Sequence, residues 1–385
     1  MIPPFLLGLL FLLLAWWMRQ KAKAWHRWAI APLVTGALIL LFTFTVKYQD
    51  VAKVQARHDL DTLLEELRRP DLWEANDLTN REELLFLAST GSGALYRMLE
   101  HAPERKPAID STLRQLAEWV SDRGNFRQWR GGTDLDREVF FLAHAGAVLG
   151  HYQLATREES YAASFQKMGE HLGKRLQRAR YKHLISRDDE EYFRPADNAA
   201  ALYTLSLYES YYATQYLEPS FTDWANYLTT ELYFEESRLP CAAFSATNRC
   251  QLGPNATATG LYIAYRAAAA PAQVDSDIPW QEWLHYFKRT SLSPFTLRLR
   301  SNMRAGEPVR FCNQGAAPLD CEYYESAVGL WAAAEYGAGY SYFRFFGTEV
   351  LRRWLQSKPN YAAFRPPRRA PLLIRVSLRT LGEAK

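Results

Sequence analysis

The sequence predicts an all-α protein: an α/α toroid of helical hairpins, with an inner and an outer ring, preceded by two transmembrane helices. Three observations favour this fold. Apolar residues recur at helical spacing along most of the chain after Asp50. Strand signals, such as Asn-Gly hairpins or sustained alternation, are nearly absent. Two long apolar runs come first, at a length typical of short membrane spans.

The two apolar runs cover residues 2–18 and 29–46. The connector between them, RQKAKAWHRW, is basic and holds no acid, so the positive-inside rule places it in the cytoplasm. A cleaved signal peptide is the alternative for the first run, but the basic residues follow that run instead of preceding it. We therefore expect residues 1–49 to be a two-helix anchor in a bacterial inner membrane, with the soluble domain in the periplasm.

Charge is divided unevenly along the chain. The net charge is +4, yet residues 1–49 alone contain five basic residues and no acid. The remainder is close to neutral, so its composition gives no reason to expect a nucleic-acid partner. The expected partners are the membrane and a small-molecule or glycan substrate, and the composition is compatible with an oligomer.

The four cysteines fall into two pairs of equal spacing. Cys241 and Cys250 are nine residues apart, as are Cys312 and Cys321, and both pairs bracket polar sequence. Two short-range disulfides fit an oxidising periplasm. A zinc site is the alternative, but CxxC and HxxxH spacings are absent, as are nucleotide-binding glycine patterns. We therefore expect no metal and no cofactor.

The remaining chain divides into three parts. Residues 50–80 are predicted to form an amphipathic stalk and entry segment, 81–358 the toroid, and 359–385 an extended, proline-bearing tail. Within the toroid, the first helix of each pair is rich in small residues, as in NAAALYTLSLY and ATATGLYIAY. Small residues permit close helix packing, so these helices are predicted to form the inner ring.

Polar residues concentrate in the loops that enter the inner helices, and in a toroid these loops converge at one mouth. For Asp197, Asn198 and Asn255 the alternative is helix capping, which stabilises a helix by about 1 kcal/mol. The candidate substrate-binding residues are Trp129, Tyr192, Asn198, Asn255, Tyr324 and Glu325.

His144 lies in the middle of an alanine- and glycine-rich helix within the stretch Gly132–Tyr161. An imidazole on such a face is either a hydrogen-bonded core residue or a working group. The nearby His151, which is followed by Tyr152, is interpreted as structural.

The same stretch resembles the bacterial linalool dehydratase/isomerase family. The resemblance rests on the order H-x5-G-x-Y-Q-L-x-T-x4-Y, which runs from His144 to Tyr161, and on the preceding Gly132-Thr133-Asp134. It implies a periplasmic α/α toroid with His144 in the active site. In that family catalytic cysteines flank a Tyr-Phe element; here no cysteine lies between Asp188 and Asp197, and Asp197 stands near one of those places.

The leading hypothesis is an acid/base lyase or isomerase, of dehydratase type, that acts on a small hydroxylated substrate. His144 is the predicted acid or base, Asp197 its partner and Asp134 an orienting or protonating group, while Tyr192 and Tyr324 hold a hydroxyl. One alternative is a glycan-processing hydrolase, lyase or epimerase of the cell envelope, which a cleft open at both ends would favour. The other is a non-catalytic envelope assembly protein, which a mouth without buried ionisable groups would favour.

Overall fold

The structure is a computed structural model in which the chain forms two compact units, residues 1–56 and 57–385. The boundary falls inside a single long helix. The residues that the structure describes are 4–21, 29–74, 78–130, 133–179, 183–187, 191–273, 278–289, 296–300, 318–356 and 369–385.

The described residues are mostly helical, in agreement with the all-α prediction. They form α1 (Pro4–Lys21), α2 (Ile30–Leu67), α3 (Leu78–His101), α4 (Lys106–Ser121), α5 (Val139–Thr156), α6 (Ala162–Arg178), α7 (Pro195–Tyr212), α8 (Leu217–Glu231), α9 (Ala256–Ala269), α10 (Ile278–Phe287), α11 (Pro318–Glu335), α12 (Gly339–Gln356) and α13 (Arg369–Glu383).

The first unit contains α1 and the beginning of α2. The two helices approach closely where Gly8 meets Leu40 and Gly36 meets the carbonyl oxygen of Gly8. The predicted transmembrane helices are wrong: among the described residues, every helix is too short or too polar to cross a bilayer. The predicted membrane partner and the predicted inner-membrane location rest on those helices, so these two predictions are wrong as well.

The predicted stalk is also part of a longer element. Residues 50–67 continue α2 without a break, and from Arg57 onward they belong to the second unit. Leu60, Leu63 and Leu67 are buried there at helical spacing. From Arg57 to Leu67 the predicted stalk is therefore part of the second unit.

The core of the second unit is a closed ring of six helices. Contacts run from α3 to α5, α7, α9, α11 and α13, and α13 returns to α3. The intervening helices α4, α6, α8, α10 and α12 each pack against neighbours in this ring. Outer helices bury one stripe only, as in α6, where Phe165, Met168, Leu172 and Leu176 are buried.

Neighbouring ring helices run in the same direction. Ser89 and Ser92 of α3 lie beside His144 and His151 of α5 in the same order. Between α5 and α7, α9 and α11, and α13 and α3, contacts keep the same order. We call the end where these helices begin the amino end of the ring, and the end where they finish the carboxyl end.

The predicted extended tail is wrong over its last part, which is α13, the helix that closes the ring, while residues 359–368 lie outside the described residues. Pro371 lies in the first turn, where a missing N–H costs nothing. The charge of Arg379, which by itself would disfavour a buried helix, is paired. Arg379 donates to Asp59 of α2 at 3.2 Å and to Glu349 of α12 at 3.2 Å. Arg353 donates to Asp59 at 2.6 Å. These ion pairs join α13 to α2 and α12.

Two small sheets accompany the helices in the part of the chain that the structure describes. The first has the order β1 (Tyr192–Phe193), β2 (Ala243–Ser245), β3 (Cys250–Leu252), and the second pairs β4 (Lys288–Arg289) with β5 (Arg298–Leu299); all pairings are antiparallel. In the first sheet Phe193 lies opposite Phe244, and Phe244 lies opposite Cys250.

Candidate functional site

The amino end of α5 is held by the segment that precedes α7. The backbone N–H groups of Val139 and Phe140 donate to the carbonyl oxygens of Ile185 and Ser186 at 3.1 and 3.0 Å. These bonds satisfy donors that the first turn of a helix leaves without an intrahelical partner. They also fix segment 183–187 against the start of α5.

Asn198 fixes the same segment from the α7 side. Its Oδ1 accepts the backbone N–H of Leu184 at 2.8 Å, and its Nδ2 donates to the carbonyl oxygens of Leu184 and Arg194 at 3.0 and 3.1 Å. The amide is 1% exposed. Predicted to bind substrate, Asn198 instead has both of its polar atoms bonded to backbone groups.

His144 lies in the second turn of α5 and is buried inside the ring. Its Nδ1 is 3.1 Å from Ser89 Oγ of α3. The ring centroid lies 4.6 Å from that of Phe140 and 6.1 Å from that of Tyr265, which belongs to the non-adjacent helix α9. Within the part of the chain that the structure describes, Nε2 has no hydrogen-bond partner. Ser89 thus fixes one nitrogen, and the other is unbonded among the described residues.

Burial, and then the positive charge of Arg187, lower the pKa of His144 to about 3. The Arg187 guanidinium lies 4.6 Å from the centroid of Phe140, the ring that also touches His144. Its Nε is 2.8 Å from Glu82 Oε1 in the first turns of α3. The imidazole is therefore neutral at pH 7.

Two buried carboxylates belong to the amino end of the ring. Asp197 lies in the first turn of α7 and is 8% exposed, and Glu325 lies two turns into α11 and is 1% exposed. Because the ring helices are parallel, their early turns share one end with His144. A third buried carboxylate, Glu138, precedes α5 and accepts from Arg127 at 2.8 Å and Gln128 at 3.1 Å.

His151 lies two turns beyond His144 on the same helix. Its Nδ1 is 2.9 Å from Ser92 Oγ of α3, and its Nε2 is 2.9 Å from the hydroxyl of Tyr203 of α7. Burial, and then the charge of Arg97, lower its pKa to about 3. Both nitrogens are occupied, as the structural interpretation of this residue predicts.

The carboxyl end of the ring is filled by an ion-pair cluster. Glu335 of α11 pairs with Arg97 of α3 across the ring and with Lys385 at 2.6 Å. It also accepts the indole N–H of Trp331 at 2.8 Å, and that indole packs on Tyr265 with centroids 4.9 Å apart. The interior is thus closed by side chains at this end.

Two predicted site residues serve as helix caps. Asp134 is exposed, and its Oδ1 accepts the N–H of Asp136 at 3.0 Å at the start of a 3-10 turn. Asn255 accepts the N–H of Ala258 at 2.8 Å at the start of α9. The capping alternative holds for Asn255, and it also describes Asp134, which was predicted to be catalytic.

Trp129 and Tyr192 flank the amino end of α5. The Trp129 indole donates to the carbonyl oxygen of Val120 at 2.7 Å and packs on Phe141. The cavity beside it has a volume of about 10 Å³, room for about one water molecule. Tyr192 is half-buried in β1, and its carbonyl oxygen accepts the N–H of Ser186 at 2.8 Å. Both residues support the loops around the site.

The disulfide between Cys241 and Cys250 is present, with Cα atoms 5.8 Å apart, beside the small sheet that contains Tyr192. Cys312 and the side chains of Cys321 and Tyr324 lie outside the described residues, so the second predicted disulfide and the predicted hydroxyl contact of Tyr324 lie there too. Among the described residues, no three His, Cys, Asp or Glu side chains are grouped to hold a metal ion.

Sequence reasoning missed Ser89 and Arg187, the two residues that fix and polarise His144. Ser89 belongs to the small-residue run LASTGSGAL, whose composition resembles that of the other inner helices. Arg187 directly precedes the acidic run Asp188–Glu191, so the local sequence has the pattern of a solvated, charged loop. The chain matches no protein-family model and no curated protein sequence.

Proposed function

We propose that this protein is an enzyme that carries out acid/base lyase or isomerase chemistry on a small hydroxylated substrate, with His144 as the proton-transferring group. The observation that carries this proposal is the unequal use of the two His144 nitrogens. Nδ1 is fixed by Ser89, whereas Nε2 has no partner within the described residues. A buried imidazole that serves packing alone would be expected to bond both nitrogens, as His151 does.

The tautomer decides the direction of proton transfer. With its proton on Nδ1 and donated to Ser89, His144 presents Nε2 as an acceptor. A pKa near 3 keeps the resting group neutral at pH 7, so it is able to accept a proton. The imidazolium that forms is a strong acid in this environment and readily donates its proton. This suits a group that acts first as a base and then as an acid in one turnover.

Loss of a hydroxyl as water requires a second group that protonates the leaving oxygen. Asp197 and Glu325 are buried carboxylates in the early turns of α7 and α11, two helices of the ring that are separated by α9. A carboxyl group in its protonated form donates the proton that the leaving oxygen needs. Asp197 is the proposed partner of His144, in line with its place in the resemblance. Asp134 has no part in this chemistry because it is an exposed cap.

From the resemblance to the linalool dehydratase/isomerase family, this proposal takes only one feature, a pocket that encloses a hydroxyl-bearing substrate. The thiol chemistry of that family is replaced by carboxylate chemistry, because Asp197 stands near the place of one cysteine. The closed carboxyl end speaks against a glycan-binding cleft open at both ends. The buried ionisable groups at the amino end speak against a purely structural docking ring.

The test is incorporation of solvent deuterium into a panel of small hydroxylated compounds, followed by mass spectrometry of the recovered compounds. The panel includes tertiary allylic alcohols, polyols and 2-hydroxy acids. We expect incorporation or dehydration with at least one class, reduced at least about 100-fold in His144→Gln and in Asp197→Asn. Asp134→Ala is the matched control and retains the rate. If a responsive compound exchanges equally fast with His144→Gln, the assignment is wrong.

A further inference from the structure

Arg187 is held beside His144 by a segment with little freedom. Its neighbours Leu184, Ile185 and Ser186 are tied to Asn198, Val139 and Phe140 by backbone and side-chain hydrogen bonds of 2.8–3.1 Å. Ser186 Oγ also accepts the N–H of Arg194 at 2.8 Å. An arginine on such a segment has a fixed backbone, so its guanidinium is directed by the fold.

The guanidinium is placed at the amino end of the ring and faces outward in part. Its side chain is 20% exposed, whereas His144 is 2% exposed. The Phe140 ring lies between the two groups and contacts both. A ligand that enters from this end therefore meets Arg187 before its reactive part reaches His144.

We propose that Arg187 binds the carboxylate of the substrate, so that the substrate is a small 2- or 3-hydroxy acid whose hydroxyl-bearing carbons lie against His144. This inference rests on the proposed function and narrows its substrate class. A guanidinium forms paired hydrogen bonds with a carboxylate in a planar geometry that neither a hydroxyl nor an amide matches. The carboxylate also acidifies the hydrogen on the adjacent carbon.

Arg187 already pairs with Glu82, at 2.8 Å between Nε and Oε1. Glu82 is itself partly exposed, at 36% of its side chain. An entering carboxylate shares the guanidinium with Glu82 or displaces it, and weakening this ion pair makes Arg187 a better anion site. Glu82 thus gives a variant in which the inference predicts a gain of binding.

Anion binding and the charge state of His144 are linked. Arg187 is the charge that, together with burial, lowers the pKa of His144, and among the described residues the phenol of Tyr265 also lies beside the imidazole. A carboxylate on Arg187 offsets its charge and raises the pKa of His144. By linkage, protonation of His144 increases the affinity for the anion by the same factor. Substrate binding therefore makes His144 a stronger base.

The experiment is a titration of the full chain, labelled with 15N- and 13C-histidine, with glycolate at constant ionic strength set by chloride. We expect saturable shifts of the His144 signals, with a Kd in the millimolar range, and constant His151 signals. Ethylene glycol, which lacks the carboxylate, causes no shift. Inorganic phosphate is the second arm, and a phosphate Kd below that of glycolate contradicts the carboxylate assignment.

Variants make the test independent of turnover. Arg187→Gln is expected to raise the pKa of His144 and abolish the response to glycolate. Arg187→Lys keeps the charge and retains a weaker response, and Glu82→Gln lowers the glycolate Kd severalfold. An unchanged glycolate Kd in both Arg187→Gln and Glu82→Gln overturns the inference, as does a wild-type chain that fails to respond. Because glycolate binding is read without catalysis, the proposed function stands or falls separately, by its own deuterium test.

Discussion

His144 and His151 lie seven residues apart on α5, on the same side of the helix, and they differ in one respect. Both are buried, both approach a serine of α3, and both have a pKa lowered to about 3. His151 uses its second nitrogen for Tyr203, and the ion pairs of Glu335 close the ring beyond it. His144 has no such partner within the described chain and faces the end that carries Arg187, Asp197 and Glu325.

This comparison shows that a strongly lowered pKa does not by itself identify a working residue. Burial lowers the pKa of both imidazoles alike. The pattern of hydrogen bonds separates them, since a fully bonded histidine stabilises the fold and a half-bonded one retains an atom for a ligand.

The largest effect is expected from Glu335→Ala at the carboxyl end. The change leaves the cationic Arg97 and Lys385 without their shared carboxylate and removes the acceptor of the Trp331 indole. Removing one partner of a buried ion pair costs about 3–5 kcal/mol. Urea unfolding measures this loss, and Glu335→Gln, which keeps an acceptor, serves as the milder control. A loss below about 1 kcal/mol would show that the cluster does not close the ring.

Acid weakens the fold through both histidines. Each folded-state pKa lies below the unfolded value of 6.5, so the unfolded chain binds more protons and stability falls as pH falls from 6.5 towards 3. At pH 4.5 each imidazole lowers the free energy of unfolding by about 3 kcal/mol.

The matched variants for the acid effect are His144→Gln and His151→Gln. Urea unfolding of each at pH 7 and pH 4.5 is expected to show a smaller acid loss than the wild type, by a similar amount in both. An unchanged acid loss in either variant would contradict the burial of that imidazole.

Tyr203→Phe gives a smaller loss, because it removes the partner of His151 Nε2. Burial raises the pKa of Tyr203 to about 12, so the phenol stays a neutral donor over the whole working range. A buried acceptor left without a donor costs about 1–3 kcal/mol. Thermal or urea unfolding measures it, with Tyr211→Phe as the control on the half-buried outer part of α7. Equal free energies of unfolding for the two variants would mean that the hydrogen bond between Tyr203 and His151 does not stabilise the fold.

The smallest effect is expected from Asp134→Ala. The residue is an exposed cap of a 3-10 turn, so its loss costs about 0.5–1 kcal/mol. The rate of solvent exchange on a responsive compound is expected to remain within about twofold of the wild type. A loss of rate comparable to that of Asp197→Asn would return Asp134 to the catalytic set.

The helical part of the fold was readable from local pattern. The predicted inner helices NAAALYTLSLY and ATATGLYIAY lie within α7 and α9, both of which belong to the ring. The tail was not readable, because the cluster Pro366-Pro367 and the charges Arg375 and Arg379 argue locally against a buried helix. Only the tertiary pairing of Arg379 with Asp59 and Glu349 makes that helix favourable.

The membrane prediction failed for a different reason. The apolar runs 2–18 and 29–46 resemble membrane spans in composition, but no described helix is long and apolar enough to cross a bilayer. In the site, residue type was a poor guide to role. Asn198 and Asp134 have polar side chains that the backbone uses, whereas Ser89 and Arg187 depend on contacts between residues 55 apart or across a loop. Sequence spacing does not encode such contacts.

The most direct test of the comparison is the exchange rate of His144→Gln against His151→Gln, measured on one responsive compound at a temperature where both variants are folded by circular dichroism. The account predicts a fall of at least about 100-fold for His144→Gln and a rate within about threefold of the wild type for His151→Gln. Equal losses in the two variants, or a greater loss in His151→Gln, would contradict the assignment of the amino end of the ring as the working end.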